Sequence, residues 1–168
     1  MSKPIIRPVA KDDNVEIAAV VRKVLMDLGA PKVGTAYADV TLDRMFETYK
    51  KTSKATYLVV EIDGEVVGGA GIAQLENYDG PVCELQKMYF LDQARGKGIG
   101  SAMMKRCLDE ARSLGFKQCY LETMPYMEAA QKLYKRTGFY NLDGPMGDTG
   151  HYSCTCLLYT SPSPRDRG

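Results

Sequence analysis

The stretch 93-QARGKGIGSAMMKRCLDEA-111 decides how this chain is read. Gly96, Gly98 and Gly100 alternate with Lys97 and Ile99, Arg95 stands just ahead of them, and a helical pattern follows at once. Such a run is either a tight strand-to-helix turn or a cradle for an anion. The first N–H groups of a helix have no partner within it, and its start carries partial positive charge. A phosphate group suits that position, and glycines let the backbone approach it with no Cβ in the way.

Two well-known phosphate loops do not fit. A dinucleotide fingerprint spaces its glycines G-x-G-x-x-G, with an acid about 20 residues on. Here the third glycine falls at 100 instead of 101, although Glu122 does close a following strand. Residues 101–168 are also too few for the rest of a doubly wound sheet. A nucleoside-triphosphate loop needs Gly-Lys-Ser/Thr after its spacer, and no such triplet follows these glycines.

The bulk numbers narrow the field. The 168 residues make up the length of one domain, with 45% hydrophobic and 26% charged residues, as in ordinary soluble proteins. A formal net charge of +1 gives no general attraction to nucleic acid or anionic membrane. No apolar run is long enough for a signal peptide or a membrane span. The five cysteines stand at 83, 107, 119, 154 and 156. Three of them lie in apolar segments, which predicts reduced, buried thiols and a cytoplasmic setting. The single histidine, His151, and the spacing Cys154-x-Cys156 do not make a metal site, so no metal is expected.

Residues 5–9 read as a strand, and Asp12, Asp13 and Asn14 offer an N-cap to a helix carrying Ile17, Val21, Val24, Leu25 and Leu28 at helical spacing. Gly29 and Pro31 stop it. A second, shorter helix follows with Leu42, Met45, Phe46 and Tyr49 on one face. Asp63-Gly64 between two β-rich runs predicts a hairpin over 56–75 with a type I′ turn. A strand over 82–91 leads into the glycines. A helix over 98–114, a strand over 117–123, a helix over 127–137 and strands over 139–142 and 151–159 complete the order β α α β β β α β α β β. The fold class is therefore α/β, a single domain (residues 1–159) with a mixed central sheet. The Pro-, Ser- and charge-rich residues 160–168 match no element and read as a disordered tail or a non-native scar.

The glycine loop fits the pattern Gln/Arg-x-x-Gly-x-Gly/Ala as Gln93-Ala94-Arg95-Gly96-Lys97-Gly98. It resembles the pyrophosphate loop of the GNAT superfamily of acetyl-coenzyme A-dependent N-acetyltransferases. The preceding strand, the helix–strand pair and Ala130-x-x-Leu133-Tyr134-x-x-x-Gly138-Phe139 resemble the family over residues 80–159. The combination ELQKMYF, CYLETMPYMEAA and GHYSC looks most like a bacterial group within it.

The resemblance implies a mixed sheet whose two parallel central strands splay apart to admit acetyl-CoA. Backbone groups at Met88, Tyr89 and Phe90 would pair with the pantetheine arm. Arg95, Gly96, Lys97, Gly98, Ile99, Gly100 and Ser101 would surround the pyrophosphate. Tyr134 stands where the family places the acid that protonates the departing thiolate. Glu122 and Glu84 are the two candidates for the base, with Glu122 the first choice. Many members carry Asn where this chain has Met127, so that coenzyme contact is absent or supplied by backbone, with help from Tyr126. The acceptor would be a small amine or a peptide amino-terminus, with Tyr37, Asp39, Asp143, Asp148, His151 and Tyr152 able to line its entrance. A second reading stays open at this point: a coenzyme A-binding sensor that keeps the loop and lacks turnover.

Overall fold

Strand β1 (Ile5–Pro8) runs into helix α1 (Asn14–Asp27) and the short helix α2 (Met45–Lys51), and then into three strands, β2 (Thr56–Ile62), β3 (Glu65–Gln74) and β4 (Val82–Phe90). Helix α3 (Ile99–Ser113), strand β5 (Gln118–Thr123), helix α4 (Glu128–Arg136) and strands β6 (Tyr140–Asn141) and β7 (Leu157–Pro162) follow. The structure is a computed structural model and describes residues 3–29, 36–123, 128–141 and 157–162. The element order matches the sequence reading. Among the described residues one seven-stranded sheet runs β1-β2-β3-β4-β5-β7-β6. Only β4 and β5 pair in parallel, and the other neighbours are antiparallel.

Two differences are local. The last strand, Leu157–Pro162, runs past the expected end at 159, so residues 160–162 pair with β5, while residues 151–156 lie outside the described residues. Asp13 does not cap α1 with its side chain. Its carboxylate instead accepts two bonds from the Arg7 guanidinium, at 2.7 and 3.0 Å, and one from the Ala10 N–H at 2.7 Å. That ties β1 to the start of α1.

Each face of the sheet carries its own core. On one side α1 contributes Ile17, Val20, Val21, Val24 and Leu25, packed with Leu42, Met45, Tyr49, Tyr57 and Val59. On the other, Ile99, Met103, Met104 and Cys107 of α3 pack with Leu58, Val60, Ile72, Leu85 and Leu121. Helix α2 has only seven residues, too few to persist alone. It is held from outside: the Asn14 side-chain oxygen accepts the Phe46 N–H at 2.9 Å, while the Asn14 amide donates to Glu47 at 2.7 Å. Cys83, Cys107 and Cys119 are free and buried. Burial pushes the Cys107 thiol up to about 12, which keeps it protonated.

The sheet is interrupted at its centre. β4 and β5 pair at Val82↔Gln118, Cys83↔Cys119 and Glu84↔Tyr120 and then part. Among the described residues no strand pairs with the β5-facing edge of β4 from Leu85 to Phe90. In the same segment β4 carries a bulge. Gly71 pairs with Gln86 and Gly69 with Tyr89, so two residues of β4 face one of β3. Lys87 adopts φ 47° there, which is uncommon for a residue with a side chain. The extra residue inverts the alternation of the strand. Leu85, Met88 and Phe90 all turn toward the α3 core, whereas an unbroken strand would send Met88 and Phe90 to the opposite face from Leu85.

The Arg7–Asp13 pair makes stability depend on pH. The Arg7 guanidinium holds the Asp13 carboxyl below the usual carboxylate range. Its contribution is present above the unfolded value of about 3.9 and is lost as pH falls through the depressed folded value. Asp13→Asn should cost about 2 kcal/mol at neutral pH, since the Arg7 it leaves is only partly buried. Denaturant titrations at pH 7 and pH 3 check this, and the gap from the wild type should shrink at pH 3.

Candidate active site

Strand β4 is a wall shared by two cavities. The smaller, about 370 Å³, is lined by Met88, Tyr89 and Phe90 of β4, by Arg95, Gly96, Gly98, Ile99, Gly100 and Ser101, and by Ala129, Leu133, Tyr134 and Arg136 of α4. The larger, about 1040 Å³, is lined by Glu84, Gln86 and Lys87 of β4, by Thr48 and Tyr49 of α2, and by Asp39 and the loop 75–80. The division along β4 falls at the bulge.

The smaller cavity has a glycine loop at a helix start on its wall, an arrangement that could take an anion. Gly96 and Gly98 have φ 74° and 71°, the left-handed conformation that residues with a Cβ adopt only under strain. A Cβ added to either would meet nothing within 4 Å, so the space beside the loop is open. Gly98 is the N-cap of α3, and the helix start points its unpaired N–H groups at that space. Gly100 serves packing, since a Cβ there would stand 3.2 Å from Leu133 Cδ2.

The structure brings together most of the residues singled out from the sequence. Met88, Tyr89, Phe90, Arg95, Gly96, Gly98, Ile99, Gly100, Ser101 and Tyr134 all line this one cavity. Lys97 is exposed at its margin and is not part of the lining. Arg95 is exposed too and pairs with Asp92 at 3.5 Å. Tyr134 is buried, with its ring 6.0 Å from that of Phe139. Met127, Tyr126, Asp143, Asp148, His151 and Tyr152 lie outside the described residues. Arg136 was missed: its guanidinium donates to the Ser101 hydroxyl at 3.3 Å and adds a cation to the cradle. Its spacing from Ala129 and Leu133 on one helical face is the signal that could have found it.

The two carboxylates differ in setting. Glu84 is only 6% exposed, stands at the last position where β4 meets β5, and faces the larger cavity. The Gln86 amide donates to it at 2.9 Å. Glu122 accepts the Tyr120 hydroxyl at 2.7 Å and lines neither cavity. Asp39, Glu76, Asp79 and Glu84 make the larger cavity anionic, and its one described cation, Lys87, is paired with Asp39 at 3.1 Å. Tyr37 instead lies under the Arg22 guanidinium, at 5.8 Å. Among the described residues no cluster of side chains could hold a metal ion, and no helix is long and apolar enough to cross a membrane.

Comparison with known proteins identifies the family and the fold. The sequence profile of the acetyltransferase (GNAT) family matches residues 25–139. The uncharacterised N-acetyltransferase YjgM of Escherichia coli K12 is 43% identical over 152 residues, covering 90% of each chain. Among solved structures, a GNAT-family acetyltransferase from Staphylococcus aureus Mu50 superposes with a TM-score of 0.83 at 17% identity, over 95% of this chain and 99% of that one. The acetyltransferase yncA of Salmonella typhimurium, solved with acetyl-CoA, superposes with a TM-score of 0.75 at 20% identity, over 95% and 93%. With the profile covering more than half of its length, the chain belongs to the acetyltransferase (GNAT) family.

Proposed function

We propose that this protein transfers the acetyl group of acetyl-CoA directly to a primary amine, on a small molecule or a peptide amino-terminus. The observation that carries this reading is the division of β4 between a phosphate-type cradle and an anionic cavity. A thioester lying along residues 88–90 would present its carbonyl near the bulge, next to the cavity that attracts a cation. The Gly96–Ser101 loop, with Lys97 at its edge and Arg136 beside Ser101, holds the pyrophosphate through backbone N–H groups and charge. The backbone of Met88, Tyr89 and Phe90 holds the pantetheine arm along the strand edge that β5 leaves open. Met127 stands at the family's Asn position, so that contact with the coenzyme is absent or supplied by backbone.

The chemistry needs two proton movements. An alkylamine binds its proton up to a pKa of about 10, and a thiolate below about 8.5 takes one up. Glu84 accepts the proton of the attacking nitrogen, directly or through water. With that proton gone the nitrogen lone pair forms the C–N bond, the C–S bond breaks, Tyr134 gives its phenolic proton to the departing thiolate, and the second nitrogen proton passes through water to the tyrosinate and restores the phenol. Glu84 is the better base on geometry: it faces the acceptor cavity, whereas Glu122 is bonded to Tyr120 outside it. The acceptor enters as a cation, drawn by Asp39, Glu76, Asp79 and Glu84.

Steady-state kinetics on three variants test the roles. Tyr134→Phe and Glu84→Gln should each lower kcat by roughly a hundredfold, with the KM for acetyl-CoA little changed. Glu122→Gln should stay within about threefold of the wild type. Full activity of Glu84→Gln with loss in Glu122→Gln would return the base to Glu122.

The cradle makes its own prediction. Gly98→Val forces a branched side chain into a left-handed backbone, a strain of about 1–3 kcal/mol, and puts methyl groups into the open space beside the loop. Calorimetric titration should show acetyl-CoA affinity down tenfold or more while the circular dichroism spectrum stays that of the wild type. Unchanged affinity would make Gly98 a simple turn residue.

A further inference from the structure

The large cavity contains a chain of hydrogen bonds that the proposed transfer has not used. Tyr49, on α2, donates its hydroxyl to Gln86 Oε1, and Gln86 Nε2 donates to Glu84 Oε1 at 2.9 Å. The chain has one direction. Tyr49 is 7% exposed, its ring lies 5.3 Å from that of Tyr57, and burial pushes its phenol pKa up, so it is a proton donor at every working pH. That fixes the oxygen end of the Gln86 amide toward Tyr49 and the nitrogen end toward Glu84. A flipped amide would set two acceptors, its own oxygen and the Glu84 carboxylate, against each other.

We propose that Gln86 and Tyr49 are positioning residues for this acetyl transfer: Tyr49 locks the Gln86 amide, and Gln86 holds Glu84 ionised and aimed into the acceptor cavity. The inference rests on the reading of Glu84 as the base. A hydrogen bond to the charged form of a carboxyl lowers its pKa, while burial and neighbouring negative charge raise it. The raising influences around Glu84 are present from several elements. Its own strand is buried there, and Asp39, Glu76 and Asp79 line the same cavity. Lys87 is paired with Asp39. From β5, Tyr120 gives its hydroxyl to Glu122, and Cys119 is a buried thiol beside Cys83, raised well above the ordinary thiol value first by its bond to Cys83. Tyr49 stands over the group from α2, neutral. The Gln86 donor favours the charged form of the buried Glu84 carboxyl against these influences. Helix α2 therefore belongs to the active site, and the Asn14 side chain that holds its first turn supports the base from the same side of the sheet.

The test uses the full-length protein with Gln86→Met, Tyr49→Phe and Glu84→Gln. The Glu84 carboxyl carbon is followed by NMR against pH, its signal assigned by its loss in Glu84→Gln, and kcat/KM is measured over the same range. In Gln86→Met the Glu84 pKa should rise by about one unit or more, and the acid limb of the kcat/KM profile should move up with it. Tyr49→Phe, which keeps the ring packing, should give a smaller shift in the same direction. The KM for acetyl-CoA should stay within a few-fold. An unmoved Glu84 titration in both variants, or in Tyr49→Phe where Gln86→Met does not fold, overturns the proposal and makes the chain mere packing. Wild-type kcat in Glu84→Gln at every pH removes the base itself, and the positioning role falls with it. The titration reports on the relay and the Glu84→Gln rate on the base, so the two failures are told apart.

Discussion

The hydrogen bond from the Tyr57 hydroxyl to the Lys87 carbonyl, 2.7 Å long, is the contact on which the site depends. Tyr57 lies on β2 and Lys87 on β4, so the phenol must cross β3 to reach it. It can do so because β3 is nearly bare at that point. A Cβ at Gly69 would fall 2.7 Å from Tyr57 Cε1, and one at Gly71 would fall 2.5 Å from Cδ2. Glycine weakens a strand interior on its own account. Here the loss is offset by a buried aromatic ring that pins a left-handed lysine across the sheet. The Lys87–Asp39 ion pair, with the Lys87 side chain only 9% exposed, holds the same bulge from the α1–α2 side.

The bulge matters because one extra residue changes which way the rest of β4 points. Before it, Glu84 and Gln86 face α2 and the anionic cavity; after it, Met88, Tyr89 and Phe90 line the cavity below the glycine loop. Meanwhile β5 is paired along its whole length to β7, from Gln118↔Pro162 to Thr123↔Leu157, and to β4 for only three residues. A strand fully satisfied on one side can leave its other neighbour without stranding its own hydrogen bonds on both edges. In the proposed reading the β4 edge that β5 leaves pairs with an extended ligand, the same physics by which a sheet edge takes up a peptide. The two cavities that the proposed reaction uses thus divide at one local irregularity.

Much of this was legible in the residues. The glycine loop, the helix periodicities, the Asp63-Gly64 turn and the crossover order are local signals, and all but the last strand lie close to where their patterns put them. Asp63 and Gly64 both take positive φ, as a type I′ turn demands. What escaped was non-local. Nothing in 82-VCELQKMYFL-91 marks Lys87 as the bulged residue, because the conformation is imposed by Tyr57 thirty positions earlier. The difference between Glu84 and Glu122 was equally invisible. Both are strand glutamates, and only the partners Gln86 and Tyr120, and the cavity one of them faces, separate them. Arg136 was hidden among the exposed lysines and arginines of α4 until Ser101 was seen beside it.

The account claims that one strand presents a thioester to an amine. The most direct test incubates the wild-type protein in catalytic amounts with acetyl-CoA and a panel of cationic, neutral and anionic amines, reading released thiol and amine product together by mass spectrometry. The account predicts an N-acetylated amine, one thiol released for each acetyl group transferred, and faster turnover of cationic acceptors than of anionic ones. Saturable binding of acetyl-CoA with no acetylated amine from any member of the panel would contradict it and leave a coenzyme A-binding sensor.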